Sequence, residues 1–213
     1  MSQPDTADAT LGSMEELTPG LWHWTARHPH HGHEVSSYYL LAERVAIDPL
    51  LPAEGIAWFE QHDAPVEHVL MTNRHHDRDA WKLHDAFGCE VHCVLNGVHE
   101  LTGRGPVTPF AFGDELPGGI IAHEVGAICP DEGALHIPAH RALAVADGVV
   151  RWPGVEGLTF VPDSLMDDPA QTRAALRAAY RRLLALDFDL LLLAHGEPVT
   201  SGGRQALAEF AGK

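Results

Sequence analysis

Four apolar runs in this chain end abruptly in polar or ionisable residues. Val45–Ile47 ends in Asp48, and Val66–Met71 runs into a polar segment carrying His75 and Asp77. Ala142–Ala146 ends in Asp147, and Leu190–Ala194 ends in His195. Strand ends are where layered α/β proteins assemble sites, because the sheet is rigid and the loops beyond it are free to vary. Two His and two or three Asp from separate strands offer nitrogen and oxygen donors suited to zinc, iron or manganese. One Asp at a strand end is usually just a turn residue. Four such ends in one chain weaken that reading, and spacing alone leaves both open.

Other reactive side chains read more plainly. His23, His28, His30, His31 and His33 fall within eleven residues, and a solvated loop is preferred there over substrate contacts or a replacement ligand. Cys89, Val91 and Cys93 share one face of a strand, so they are expected in the core. The chain has three Cys, too few for a second pair that would complete a zinc knuckle. His136 and His140 flank a hairpin turn, where a surface role is expected for His140.

The elements that must carry these residues follow from patterning. Leu21–Thr25, Val35–Leu41 and Arg44–Ile47 read as strands. A helix opened by Pro52 and Glu54 follows, then a strand over Val66–Met71. Ala80–Phe87 is helical, stopped by Gly88, and Glu90–Leu95 is a strand. In the second half Gly119–Val125 is a strand, and Ala134–Ile137 and Ala142–Ala146 form a hairpin. Asp168 is an N-cap, with Pro169 at the first helical position, for a helix reaching about Leu186. Leu190–Ala194 is a strand buried on both faces, and a last helix covers about Arg204–Phe210. Residues 1–16 are expected to form a flexible tail and 17–213 one domain.

Composition sets the outer bounds. The chain has 213 residues with 14 Lys plus Arg and 30 Asp plus Glu, a formal charge of −16. That balance argues against a nucleic-acid or anionic-membrane surface. No apolar run approaches the ~20 residues of a membrane span. The acidic start lacks the basic and apolar regions of a secretory signal, so a cytoplasmic protein is expected.

In element order and in parts of its motifs the sequence resembles the metallo-β-lactamase-fold superfamily, over roughly residues 17–210. Val45-Ala46-Ile47-Asp48-Pro49 matches that superfamily's early strand ending in Asp. Thr72-Asn73-Arg74-His75-His76-Asp77-Arg78 corresponds to Thr-His-x-His-x-Asp-His, with Asn73 and Arg78 in place of two His. Ile128 falls where a further His belongs, Ala146-Asp147 matches a hairpin ending in Gly-Asp, and His195-Gly196 matches a final His-Gly. The resemblance implies a four-layer αβ/βα sandwich with a degraded metal site, as in uncharacterised, ligand-poor members.

It also implies the roles. His75, Asp77, Asp147 and His195 are the remaining metal donors, with Asp48 behind them. Asp77 and His195 are the catalytic candidates, and Arg78 and Asn73 the contacts to a small-molecule ligand. A guanidinium cannot ligate an ion and repels it. Arg78 is therefore expected to pair with Asp77 or Asp147 in the ion's place, a reading preferred to one bound zinc, iron or manganese. The implied activity is hydrolase-like, with weak or no dinuclear-zinc hydrolysis and no β-lactamase activity. The alternatives are a mononuclear metal-dependent hydrolase of esters, thioesters, lactones or phosphoesters, a metal-free binding or scaffold protein, and, more remotely, redox chemistry at iron.

Overall fold

The structure is a computed structural model that describes residues 13–30 and 32–212. His31 lies outside them, as does most of the expected tail. Twelve strands and four helices are present among the described residues. In the first half these are β1 (Glu15–Thr18), β2 (Leu21–Arg27), β3 (Glu34–Leu40), β4 (Val45–Ile47), α1 (Ala57–Gln61), β5 (His68–Leu70), α2 (Ala80–Phe87), β6 (Glu90–Val94) and β7 (Thr108–Phe110). The second half has β8 (Glu115–Leu116), β9 (Ile120–Glu124), β10 (Gly133–Ile137), β11 (Ala142–Val145), α3 (Pro169–Leu183), β12 (Leu190–Leu193) and α4 (Gly203–Gly212).

Strands β1 to β7 form one sheet in sequence order, and the other sheet runs β12-β11-β10-β9-β8. The sheets face each other through an apolar core that includes Leu40, Val45, Leu70, Leu135, Ala144 and Leu192. Helices α1 and α2 cover the outer face of the first sheet through Phe59, Leu83 and Val91. Helices α3 and α4 cover the second through Leu176, Tyr180, Leu207 and Phe210. The layers are therefore helix, sheet, sheet, helix, as the resemblance implied.

Local chemistry explains the elements that matter for the site. In β12, Leu190 and Leu192 point between the sheets while Leu191 and Leu193 point under α3 and α4, so an unbroken apolar run is required. The strand pairs in parallel with β11, which brings Asp147 and His195 to the same sheet edge. Helix α3 starts where Asp168 accepts a hydrogen bond from the Gln171 N–H at 3.0 Å. Cys89, Val91 and Cys93 lie in the core under α2, as expected. His140 sits in the turn between β10 and β11, 3.5 Å from Glu43.

Three strands escaped the sequence pattern: β1, β7 and β8, each of four residues or fewer. Glu15 and Glu16, expected in the tail, pair instead with His23 and Trp22 of β2. Truncating Leu192 to Ala, at 0% exposure between the sheets, should lower stability by about 2–5 kcal/mol. Leu165→Ala, at a side chain 60% exposed, should shift it by no more than about 0.5 kcal/mol. Urea unfolding of the two variants measures both.

Candidate metal centre

The two sheets meet at the carboxyl ends of β4, β5, β11 and β12, and the polar ends of those strands converge there. Asp48, just past β4, holds the loop after β5. Its carboxylate accepts from the Thr72 N–H at 2.8 Å and from the Thr72 hydroxyl at 2.6 Å. It also lies 2.9 Å from His76 Nδ1.

The next residues form a single 3₁₀ turn, Arg74–His76, capped by Asn73. The Asn73 side-chain oxygen accepts from the His75 N–H at 2.8 Å, and its amide donates to Asp147 at 3.0 Å. A 3₁₀ turn has about three residues per turn, so residues three apart share a face. Asn73 and His76 therefore both face Asp147, and His76 Nε2 lies 3.2 Å from Asp147 Oδ1. His195 Nε2 approaches the same oxygen at 3.1 Å.

The structure thus brings Asp147 and His195 together, with Asp48 behind them, but it exchanges one of the expected donors and leaves another out. The imidazole in the site is that of buried His76, whereas His75 is exposed on the rim. Asp77 turns aside, 3.4 Å from Arg104. The extended His-x-Asp spacing assumed from sequence does not survive the capped turn. The signal that could have found His76 is Asn73 as an N-cap with a His three residues on.

Arg78 also differs from expectation. Its guanidinium donates to the main-chain carbonyls of Ser36 at 2.7 Å and Asp48 at 2.6 Å, and more weakly to Ala194 at 3.4 Å. It faces main-chain carbonyls of β3 and of the chain just past β4 and β12 rather than pairing with Asp77 or Asp147, and it shares the Asp48 carbonyl with the Ser37 hydroxyl and the Ala194 carbonyl with the Ser36 N–H. Its backbone, like that of Asp48, is left-handed, with φ of 32° and 47°. Asn73 spends its amide and its oxygen within the site, so neither Asn73 nor Arg78 is idle.

Electrostatics bind this cluster together. Burial opposes a charge on His76, but Asp147 and Asp48, one at each ring nitrogen, outweigh it and raise its pKa to about 9. Burial likewise opposes charge on Asp147, yet His76 and His195 hold its carboxyl well below the usual carboxylate range. Asp48 is lowered in the same way, chiefly by His76. The cluster thus sets the Asp48 and Asp147 carboxylates against the His76 imidazole and the Arg78 guanidinium.

Beside the cluster opens a cavity of about 570 Å³ lined by His33, His75, Ile128, Trp152 and Leu165, among others. Two members of the His-rich tract, His28 and His33, form part of its wall, and the His33 ring lies 5.2 Å from Trp152. His23 does not: it is buried in β2, stacked on Tyr38 at 5.1 Å. The Ile128 main chain is held by Glu132, whose carboxylate accepts from its N–H at 2.9 Å.

No family model matches the sequence, and no curated protein matches it. Solved structures do. The chain aligns with DIM-1 metallo-β-lactamase at a TM-score of 0.73 and 12% identity, covering 95% of this chain and 97% of that one. The chain has the metallo-β-lactamase fold. A metallo-β-lactamase from Erythrobacter litoralis aligns at a TM-score of 0.67 and 15% identity, over 95% of this chain and 97% of that one. Rubredoxin oxygen:oxidoreductase from Desulfovibrio gigas aligns as well, at a TM-score of 0.67 and 13% identity, over 94% of this chain and 61% of that one. No helix among the described residues is long and apolar enough to cross a membrane.

The donor set fits one ion. His76, Asp147 and His195 each offer a ligand atom, and these atoms lie within 4.8 Å of one another. Two imidazoles and a carboxylate are a known zinc donor set, and they leave a fourth position open.

Two outcomes follow. In metal-free protein, NMR titration of His76 should give a midpoint of about 9, and Asp147→Asn should lower it. The raised value stabilises the fold fully below pH ~6.5, and that contribution disappears as pH rises through His76's own midpoint. Replacing Arg78 by Met removes the charged donor to the Ser36 carbonyl and one of two donors to the Asp48 carbonyl, and should cost about 1–3 kcal/mol in urea unfolding.

Proposed function

We propose that this protein is a hydrolase-like enzyme that holds a single divalent ion on His76, Asp147 and His195 and acts on a small ester, thioester, lactone or phosphoester. The observation that carries this reading is the meeting of three donors from both sheets at the mouth of a cavity. A divalent ion there supplies Lewis acidity and lowers the pKa of water.

The chain's own residues supply the rest. Asp48 holds His76 by Nδ1, which leaves Nε2 directed at the centre. Asn73 fixes the second oxygen of Asp147 and so sets the direction of the first. Arg78 contributes a fixed positive charge that acts on Asp48 and Asp147 and borders the cavity, which suits an anionic or strongly polar ligand. Trp152, Ile128 and Leu165 give the cavity an apolar wall that excludes water from part of it.

A dinuclear centre of the superfamily's usual kind is not part of this proposal. Asn73, Arg78 and Ile128 stand where the resemblance has His, and two of them are committed to other partners. Hydrolysis of β-lactams is accordingly not expected. A metal-free binding protein is the second reading, and the pairing of His76 with both Asp48 and Asp147 favours it.

The test is a hydrolysis screen over esters, thioesters, lactones, phosphoesters and a β-lactam, on protein purified without an affinity tag. Activity should vanish on chelation and return with zinc, manganese or iron. His76→Ala and His195→Ala should each lower kcat/KM at least about a hundredfold, consistent with loss of a ligand. His75→Ala should leave most of it. Hydrolysis that survives chelation, or that needs His75 rather than His76, overturns the assignment. Tight ligand binding with no metal requirement and no turnover supports the second reading.

A further inference from the structure

A second group of donors lies at the opposite end of the first sheet. His68 is in register with Glu90 on the adjacent parallel strand, and His92 follows Glu90 by two residues. All three side chains therefore share one face. It is the face turned towards the other sheet, since Leu70 and Val94, two residues beyond His68 and His92, lie in the core between the sheets. Neither the centre at His76 nor the proposed hydrolysis uses these residues.

Their geometry is specific. His68 Nδ1 lies 3.3 Å from His92 Nε2 and 3.6 Å from Glu90 Oε2. His92 Nε2 lies 3.4 Å from the same Glu90 oxygen. Donors held by bonds of about 2.0–2.1 Å at the tetrahedral angle stand about 3.3–3.4 Å apart. The three separations thus describe one face of a coordination tetrahedron. Two imidazole nitrogens that face each other at such a distance, with a carboxylate oxygen beside both, either share a hydrogen-bonded proton or hold a metal ion.

We propose that His68, Glu90 and His92 form a second zinc site, with its fourth position open to solvent. The backbone supports it, because β5 and β6 are held in register and the donors need no loop to close. Exposure is graded along it: the His92 side chain is 6% exposed, His68 25% and Glu90 61%. An ion can enter from the Glu90 side while His92 anchors it below. Zinc here would staple β5 to β6 independently of the centre at His76.

Cobalt and zinc titrations of the full chain test the site. The probe is the metal alone, and the variants are Glu90→Gln and His68→Gln, both at side chains that reach solvent. The expected result is that each variant binds one equivalent less than the wild type. Each should also lose the tetrahedral ligand-field absorption that belongs to that equivalent and the accompanying rise in Tm with zinc. The same loss should appear in a His195→Gln background, which separates this site from the centre at His76. If either variant keeps the wild-type stoichiometry and cobalt spectrum, the trio is a hydrogen-bonded cluster only and the proposal fails. Circular dichroism of Glu90→Gln confirms that the fold is intact.

Discussion

The guanidinium of Arg78 is the contact on which the arrangement of the main centre depends. It joins the carbonyl of Ser36 on β3 and that of Asp48 beyond β4, with a weaker reach to that of Ala194 beyond β12. Those atoms belong to two different sheets, so the seam between the sheets is closed by a charge rather than by apolar contact alone. Tyr38 reinforces it by donating to the Leu193 carbonyl at 2.8 Å, and Ser36 by donating to that of Gly196 at 2.9 Å. With its carbonyl committed to Arg78 and Ser37, Asp48 can direct its carboxylate to Thr72 and His76. The left-handed backbones of Asp48 and Arg78 are the cost of this geometry, and they persist because so many bonds fix them.

Two glycines show how closely the ends of β11 and β12 are fitted. A Cβ on Gly148, next to Asp147, would stand 2.4 Å from both Leu176 Cδ2 and the Tyr180 hydroxyl. A Cβ on Gly196, next to His195, would stand 2.4 Å from the Arg151 carbonyl oxygen, at a φ of +86° that already disfavours a side chain. Each donor of the second sheet is therefore followed by a residue that must be small. Both dipeptides, Asp-Gly and His-Gly, are visible in the sequence, but their reason lies in helix α3 and in the main chain at Arg151.

The long elements were legible because their chemistry is local. Asp168 with Pro169 announces α3, and the four leucines of β12 announce a strand with two buried faces. The short edge strands β1, β7 and β8 carry no such pattern, since their pairing is set by neighbours far along the chain. At the centre, Asp48, Asp147 and His195 could be read from strand ends. The choice between His75 and His76 could not be read from motif spacing, because a capped 3₁₀ turn rotates the side chains relative to an extended segment. Nor could the partners of Arg78, which are main-chain atoms and leave no trace in residue identity.

The placement of the donors across the sheet seam has a mechanical consequence. Asp48 and His76 come from the first half of the chain, and Asp147 and His195 from the second, so neither half owns a complete set. Anything captured between them acts as a rivet between two preformed plates. Its binding free energy adds to the adhesion of the plates, and the work of prising them apart rises with its concentration. A ligand bound at the seam would thus add to the cohesion of the whole molecule.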